Sequence, residues 1–138
     1  MPPEPADLWT FLPLGYMLSV ALETPVLLVG LSRGHSLARR IFAGFWLTGC
    51  TYPIVVLVMP LLIWRPLGEA GYVPYVVIAE IFAPAAECLL FWLAFWRGNP
   101  AAGSRGELIR DMAAIIAANL VSFLGGLAIA PWLLELAG

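Results

Sequence analysis

The sequence has no lysine, one histidine, two cysteines and few charges of either sign. Charged residues fill 12% of its 138 positions, where soluble domains carry about a quarter, so there is too little charge to cover a water-facing surface. Cys50 and Cys88 both fall inside apolar runs and no C-x-x-C spacing occurs. That pattern argues against a disulfide framework, a redox pair or a soft-metal site, and the two thiols read as small buried apolar groups. The lone His35 stands in a basic loop and reads as solvated. No basic patch is interleaved with aromatics as a nucleic-acid binder requires, and no haem, iron–sulfur or nucleotide motif is present.

What is present is hydrocarbon. Hydrophobic residues make up 62% of the chain. They form four runs, about 8–31, 41–64, 73–96 and 112–134, each near the ~20 residues that a helix needs to cross ~30 Å of lipid. The expectation is an all-α integral membrane protein, a single domain over 1–138 with four transmembrane helices. The start, "MPPEPAD", lacks a basic segment, so the first run reads as an anchor that stays.

All seven basic residues are Arg, and six of them, Arg33, Arg39, Arg40, Arg97, Arg105 and Arg110, fall in the loops after the first and third runs. Arg65 alone follows the second run. By the positive-inside rule the loops 32–40 and 97–111 face the cytoplasm and both termini lie outside, the topology of a multi-pass protein of a bacterial inner membrane. Trp9, Trp64, Tyr72, Tyr75, Trp92, Trp96 and Trp132 cluster near run ends and read as interfacial anchors.

The two halves share a polar pattern. Glu23 precedes Arg33-Gly34 by ten residues, and Glu87 precedes Arg97-Gly98 by ten. Thr48 and Thr51 lie nine and twelve residues after Arg39, as Asn119 and Ser122 lie after Arg110. This predicts two repeated helical hairpins, about 8–64 and 73–134, related by a pseudo-two-fold along the membrane normal. At ~1.5 Å per residue, Glu23, Glu87, Thr51, Asn119 and Ser122 share one layer near the midplane, with Glu80 two helical turns above Glu87 toward the outer side. Ala43, Gly44, Gly49, Ala113, Ala117, Ala118, Gly125 and Gly126 are expected at close helix contacts.

A carboxylate at the bilayer centre costs about 2.5–3.5 kcal/mol on insertion scales, so these Glu residues should face the bundle interior. Their expected partners are Thr48, Thr51, Asn119 and Ser122. Pro25, Pro53 and Pro84 add to the set by freeing the carbonyls four residues back, those of Ala21, Gly49 and Glu80. An all-oxygen inventory suits a proton or a hard cation such as Mg²⁺, Ca²⁺, Mn²⁺ or Na⁺. The expected function is transport or conduction of such an ion, with the lipid bilayer and a homodimer or larger membrane complex as partners. Two alternatives stay open. In one, the Glu residues are neutral glue in a non-catalytic subunit or assembly factor; in the other, the chain is a membrane enzyme acting on a lipid or quinone.

The combination E-T-P (Glu23, Thr24, Pro25), T-Y-P (Thr51, Pro53), E-x6-E (Glu80, Glu87) and A-N-x-x-S (Asn119, Ser122) resembles a set of small uncharacterised four-span bacterial membrane proteins. The resemblance covers most of the chain and implies no activity. Small multidrug exporters share only the size and a first-span Glu; thiol reductases and intramembrane proteases require C-x-x-C, G-x-S-x-G or H-E-x-x-H signals that this sequence does not contain.

Overall fold

The computed structural model describes the backbone of residues 2–137 and, toward the chain end, side chains through 129 together with Trp132. Every element among the described residues is helical. Helix α1, Pro5–Gly30, opens on a proline, whose missing N–H is no loss in a first turn, and ends where Leu31 turns extended. Helix α2, Leu37–Pro53, is capped by Ser36, whose Oγ accepts the Arg39 N–H at 3.2 Å. Helix α5, Arg105–Ala137, opens on a capping box. In it the Ser104 N–H donates to Glu107 Oε2 at 2.7 Å and the Glu107 N–H donates back to Ser104 Oγ at 3.3 Å.

Between α2 and helix α4, Tyr72–Phe91, the chain remains helical while its pitch changes. Pro53 and Pro60 bring no amide hydrogen to the ladder, and the segments Ile54–Val58 and Pro60–Trp64 widen into π-helix. A single turn, α3 (Arg65–Leu67), and a 3₁₀ turn, Gly68–Gly71, follow. A third π segment, Trp92–Trp96, extends α4. The helical string Leu37–Trp96 counts 60 residues. Straight, it would be roughly 90 Å long, yet α2 packs on α4 and Thr51 bonds Glu87. The reversal falls at Gly68, where φ +60° and ψ −144° describe a backbone that glycine adopts without strain.

Among the described residues three helical stretches, Pro5–Gly30, Leu37–Trp96 and Arg105–Ile129, are long and apolar enough to cross a membrane. Helix α1 packs against α2 and α5, and α4 packs against the same two. The loops after α1 and α4 meet at one end of the bundle, which we call the basic end; Arg65 and the N-terminal segment share the other. The buried apolar core, including Leu27, Leu31, Ala43, Leu47, Phe91, Ile115 and Ala118, lies toward the basic end. Large apolar side chains such as Val29, Leu62 and Ile81 stay exposed on the outside of the bundle.

The expected boundaries shift in two places. Arg39 and Arg40 belong to the first turns of α2, and Arg105 and Arg110 to those of α5, because Ser36 and Ser104 start helices inside what reads as loop. The end of the fourth expected run, apart from Trp132, lies outside the described side chains. Among the small residues, Ala43, Gly44 and Ala118 are buried at contacts, whereas Gly49, Ala113 and Ala117 are exposed. The buried alanines among the described residues of α5 are Ala118, as expected, and Ala114 in place of Ala113 and Ala117.

Candidate functional site

Helices α1, α2, α4 and α5 line a cavity of about 230 Å³ between the core and the end opposite the basic end. Glu23, Glu80, Glu87, Thr48, Thr51, Asn119 and Ser122 all line it. The 3.6-residue period brings them there, since each helix turns one polar stripe inward and buries it against its neighbours. Its remaining lining includes Ser19, Tyr52 and Phe123. Toward the basic end the fully buried Leu27, Leu47, Phe91 and Ile115 separate the cavity from the Arg-rich turns.

At the floor, Thr48 Oγ1 lies 2.7 Å from Glu23 Oε2, and Thr51 Oγ1 lies 2.6 Å from Glu87 Oε1. Asn119 Nδ2 donates to Glu87 Oε2 at 2.7 Å and to the Ile115 carbonyl at 3.1 Å. Ser122 lines the cavity beside Glu23, and the two carboxyls are near enough to interact electrostatically. Both Glu23 and Glu87 are buried, while Glu80 is partly exposed.

Two parts of the expected donor set are not assembled. Pro25, Pro53 and Pro84 stand off the cavity, and of the carbonyl donors Ala21, Gly49 and Glu80 only Glu80 belongs to a lining residue; Ala21 and Gly49 face outward on exposed helix surfaces. Asn119 presents its amide nitrogen rather than its oxygen to the carboxyl. Thr24 of the E-T-P stretch packs against Gly44, its hydroxyl buried without a partner. Among the described residues no group of three or more His, Cys, Asp and Glu is arranged to hold a metal ion.

A second polar cluster sits at the basic end. Asp111 is fully buried and accepts from the Ser32 N–H at 2.6 Å, Ser32 Oγ at 3.2 Å and Trp96 Nε1 at 3.1 Å. His35 Nε2 lies 2.7 Å from the same carboxylate. The expectation of a solvated His35 is therefore corrected: it is buried among Phe91, Phe95 and Trp96 and paired to Asp111. The loop residue is carried inward because the chain after α1 turns extended and lays residues 32–35 across the start of α5. Trp96, expected as an interfacial anchor, is a donor in this cluster. Arg40 closes the open end of α1 by donating to the carbonyls of Leu28 at 2.7 Å and Ser32 at 3.0 Å, and Arg110 donates to the Gly30 carbonyl at 2.8 Å. The only warning in the sequence was an Asp placed directly after Arg110 at the edge of an apolar run.

Comparison with protein-family models, with curated proteins and with solved structures gives no match.

Proposed function

We propose that this chain is a multi-pass membrane protein that moves a proton or a hard cation through the cavity between its helices. One observation carries the reading: the seven polar residues expected from spacing alone converge on one cavity whose floor is two buried carboxyls and whose far side is a layer of apolar side chains. An ion entering from the end opposite the basic end meets carboxyls and hydroxyls, then the apolar layer of Leu27, Leu47, Phe91 and Ile115. That is the arrangement of a site reached from one side at a time. Glu80 lies at the entrance and would relay the ion to Glu23 and Glu87, with Thr48, Thr51, Asn119 and Ser122 completing the shell.

The fold belongs to the same proposal. The two limbs of Leu37–Trp96, reversed at Gly68, would each cross the bilayer, which gives four spans with both termini outside and the basic end cytoplasmic, as in a bacterial inner membrane. The crossed bonding pattern supports two repeated hairpins. Each Glu is bonded by the nearer repeat position of its own hairpin, Thr48 or Asn119; Glu87 is also bonded by Thr51 of the other, and Ser122 lies beside Glu23 in the cavity wall. A pathway within four helices is narrow, so a homodimer or larger complex remains part of the proposal.

Ion flux from proteoliposomes tests this. The double variant Glu23→Gln, Glu87→Gln keeps the size and hydrogen bonding of both side chains and removes their charge. Loss of flux by at least tenfold at unchanged protein yield is the expected result; parental flux would overturn the reading and favour a structural pair in a non-transporting subunit.

A further inference from the structure

The cavity floor contains more short oxygen–oxygen contacts than its hydroxyls have hydrogens. Thr48 Oγ1 is 2.7 Å from the Gly44 carbonyl oxygen and 2.7 Å from Glu23 Oε2. Thr51 Oγ1 is 3.1 Å from the Leu47 carbonyl oxygen and 2.6 Å from Glu87 Oε1. A hydroxyl has one hydrogen to give, and a carbonyl has none. Contacts of this length without a hydrogen between them would set lone pair against lone pair. A helical Thr settles its hydrogen on the carbonyl four residues back. The second hydrogen of each set must then come from the carboxyl.

The remaining oxygen of Glu87 is accounted for. Asn119 Nδ2 has two hydrogens and two acceptors, Glu87 Oε2 and the Ile115 carbonyl, so it fixes Oε2 as an acceptor and leaves Oε1 to carry the hydrogen. The ionisable groups facing the pair are all acids or neutral donors. Glu87 and Glu80 on α4, Thr48 on α2 and Ser122 on α5 face Glu23; Glu23 on α1, Thr51 on α2, Asn119 on α5 and the adjacent Cys88 thiol face Glu87, and the Tyr52 phenol on α2 lines the same cavity. No Arg or His lines the cavity; those at the basic end lie beyond the apolar layer.

We infer that the ion this site holds is the proton, two per chain, one on Glu23 Oε2 and one on Glu87 Oε1, with Thr48 and Thr51 as the hydroxyls that switch when a proton leaves. This rests on the reading of the cavity as an ion site and narrows the ion. On release, the carboxyl O–H bond breaks and its hydrogen passes as H⁺ to water entering the cavity. The Thr hydroxyl then turns from its carbonyl to donate to the new carboxylate. A metal cation would need those same oxygens free of hydrogen and the Asn119 oxygen turned inward.

Infrared spectra of the protein in lipid nanodiscs, in H₂O and D₂O, read these hydrogens directly. The expected result is two protonated-carboxyl C=O bands at neutral pH, shifted in D₂O, one lost in Glu23→Gln and the other in Glu87→Gln. Thr51→Val should move only the Glu87 band, and this variant keeps the test alive if a Gln variant does not fold. Ionised carboxylate bands in place of these, moved by added Na⁺, Mg²⁺, Ca²⁺ or Mn²⁺, would overturn the inference. Flux measured on the same preparations separates the two claims. Protonated bands without flux would remove translocation and leave the proton assignment standing, while flux with metal-sensitive carboxylate bands would do the reverse.

Discussion

Asp111 and Glu87 are both carboxyl groups withdrawn from solvent, at 0% and 3% exposure, so burial does not tell them apart. Their partners do. Asp111 receives donors from the loop after α1, from the tail of α4 and from His35, with Arg39 3.4 Å behind the imidazole and over the Phe95 ring. Asp111 is not among the residues that line the cavity, and it fastens the ends of three helices together. Glu87 has Thr51 and Asn119, no cationic neighbour, and a wall of the cavity. A buried acid that is wrapped by donors and a base is a fastening. One that is only half wrapped, and reached from a cavity, is free to exchange what it holds.

The largest expected effect tests that contrast on stability. Asp111→Asn places an amide N–H₂ among groups that all donate, leaving His35 and Trp96 with a partner too few. Breaking a buried pair from one side costs roughly 3–5 kcal/mol, which should appear as a large drop in melting temperature in detergent. Glu87→Gln preserves an acceptor for Asn119 and a hydrogen for Thr51, and should leave the melting temperature within a few degrees. Equal losses in the two variants would erase the distinction between fastening and site.

Access supplies the next test. A Cβ at position 15 would collide with the Tyr52 hydroxyl, which stands at the cavity wall with Gly15 opposite. Overpacking of this kind costs about 1–3 kcal/mol when the neighbour must move. Gly15→Ala should therefore displace Tyr52 and change proton flux severalfold, while the infrared signature of Glu23 and Glu87 stays in place. If the carboxyl bands changed and flux did not, Tyr52 would be no part of the approach.

The two polar regions were not equally legible in the sequence. Glu23, Glu87, Thr51 and Asn119 could be found because they repeat at fixed spacing inside helices, and helical spacing fixes depth as well as face. Glu80 followed from the same rule. Ser19 and Tyr52 line the same cavity without belonging to the repeat, so no spacing marked them. The Asp111 cluster was invisible for a different reason. Its donors, Ser32, His35 and Trp96, meet through a loop and two helix ends, where direction is set by backbone turns that a period cannot report. The reversal at Gly68 was implied by the two apolar runs it separates, whereas the π segments after Pro53 were not. Of the three marked prolines, Pro53 is followed by widened turns, whereas Pro25 and Pro84 sit inside regular α-helix, and the carbonyls of Ala21 and Gly49 are not brought to the cavity.

The smallest expected effect is the sharpest on what the two acids hold. Trp96→Phe removes one donor from Asp111 together with part of the indole's volume, whose packing cost is measured separately by Trp92→Phe, and Thr51→Val removes one hydroxyl from Glu87 with little change of shape. A hydrogen bond to a charged group contributes about 1.5–3 kcal/mol, and one between neutral groups about 0.5–1.5. If Asp111 is a carboxylate and Glu87 carries its own hydrogen, Trp96→Phe should cost more stability than Thr51→Val, even though its bond is longer, 3.1 Å against 2.6 Å. Bond length alone predicts the opposite order. Denaturation of the two variants side by side would thus show whether charge or contact distance governs these buried carboxyls, and a larger loss in Thr51→Val would mean that Glu87 is ionised where it sits.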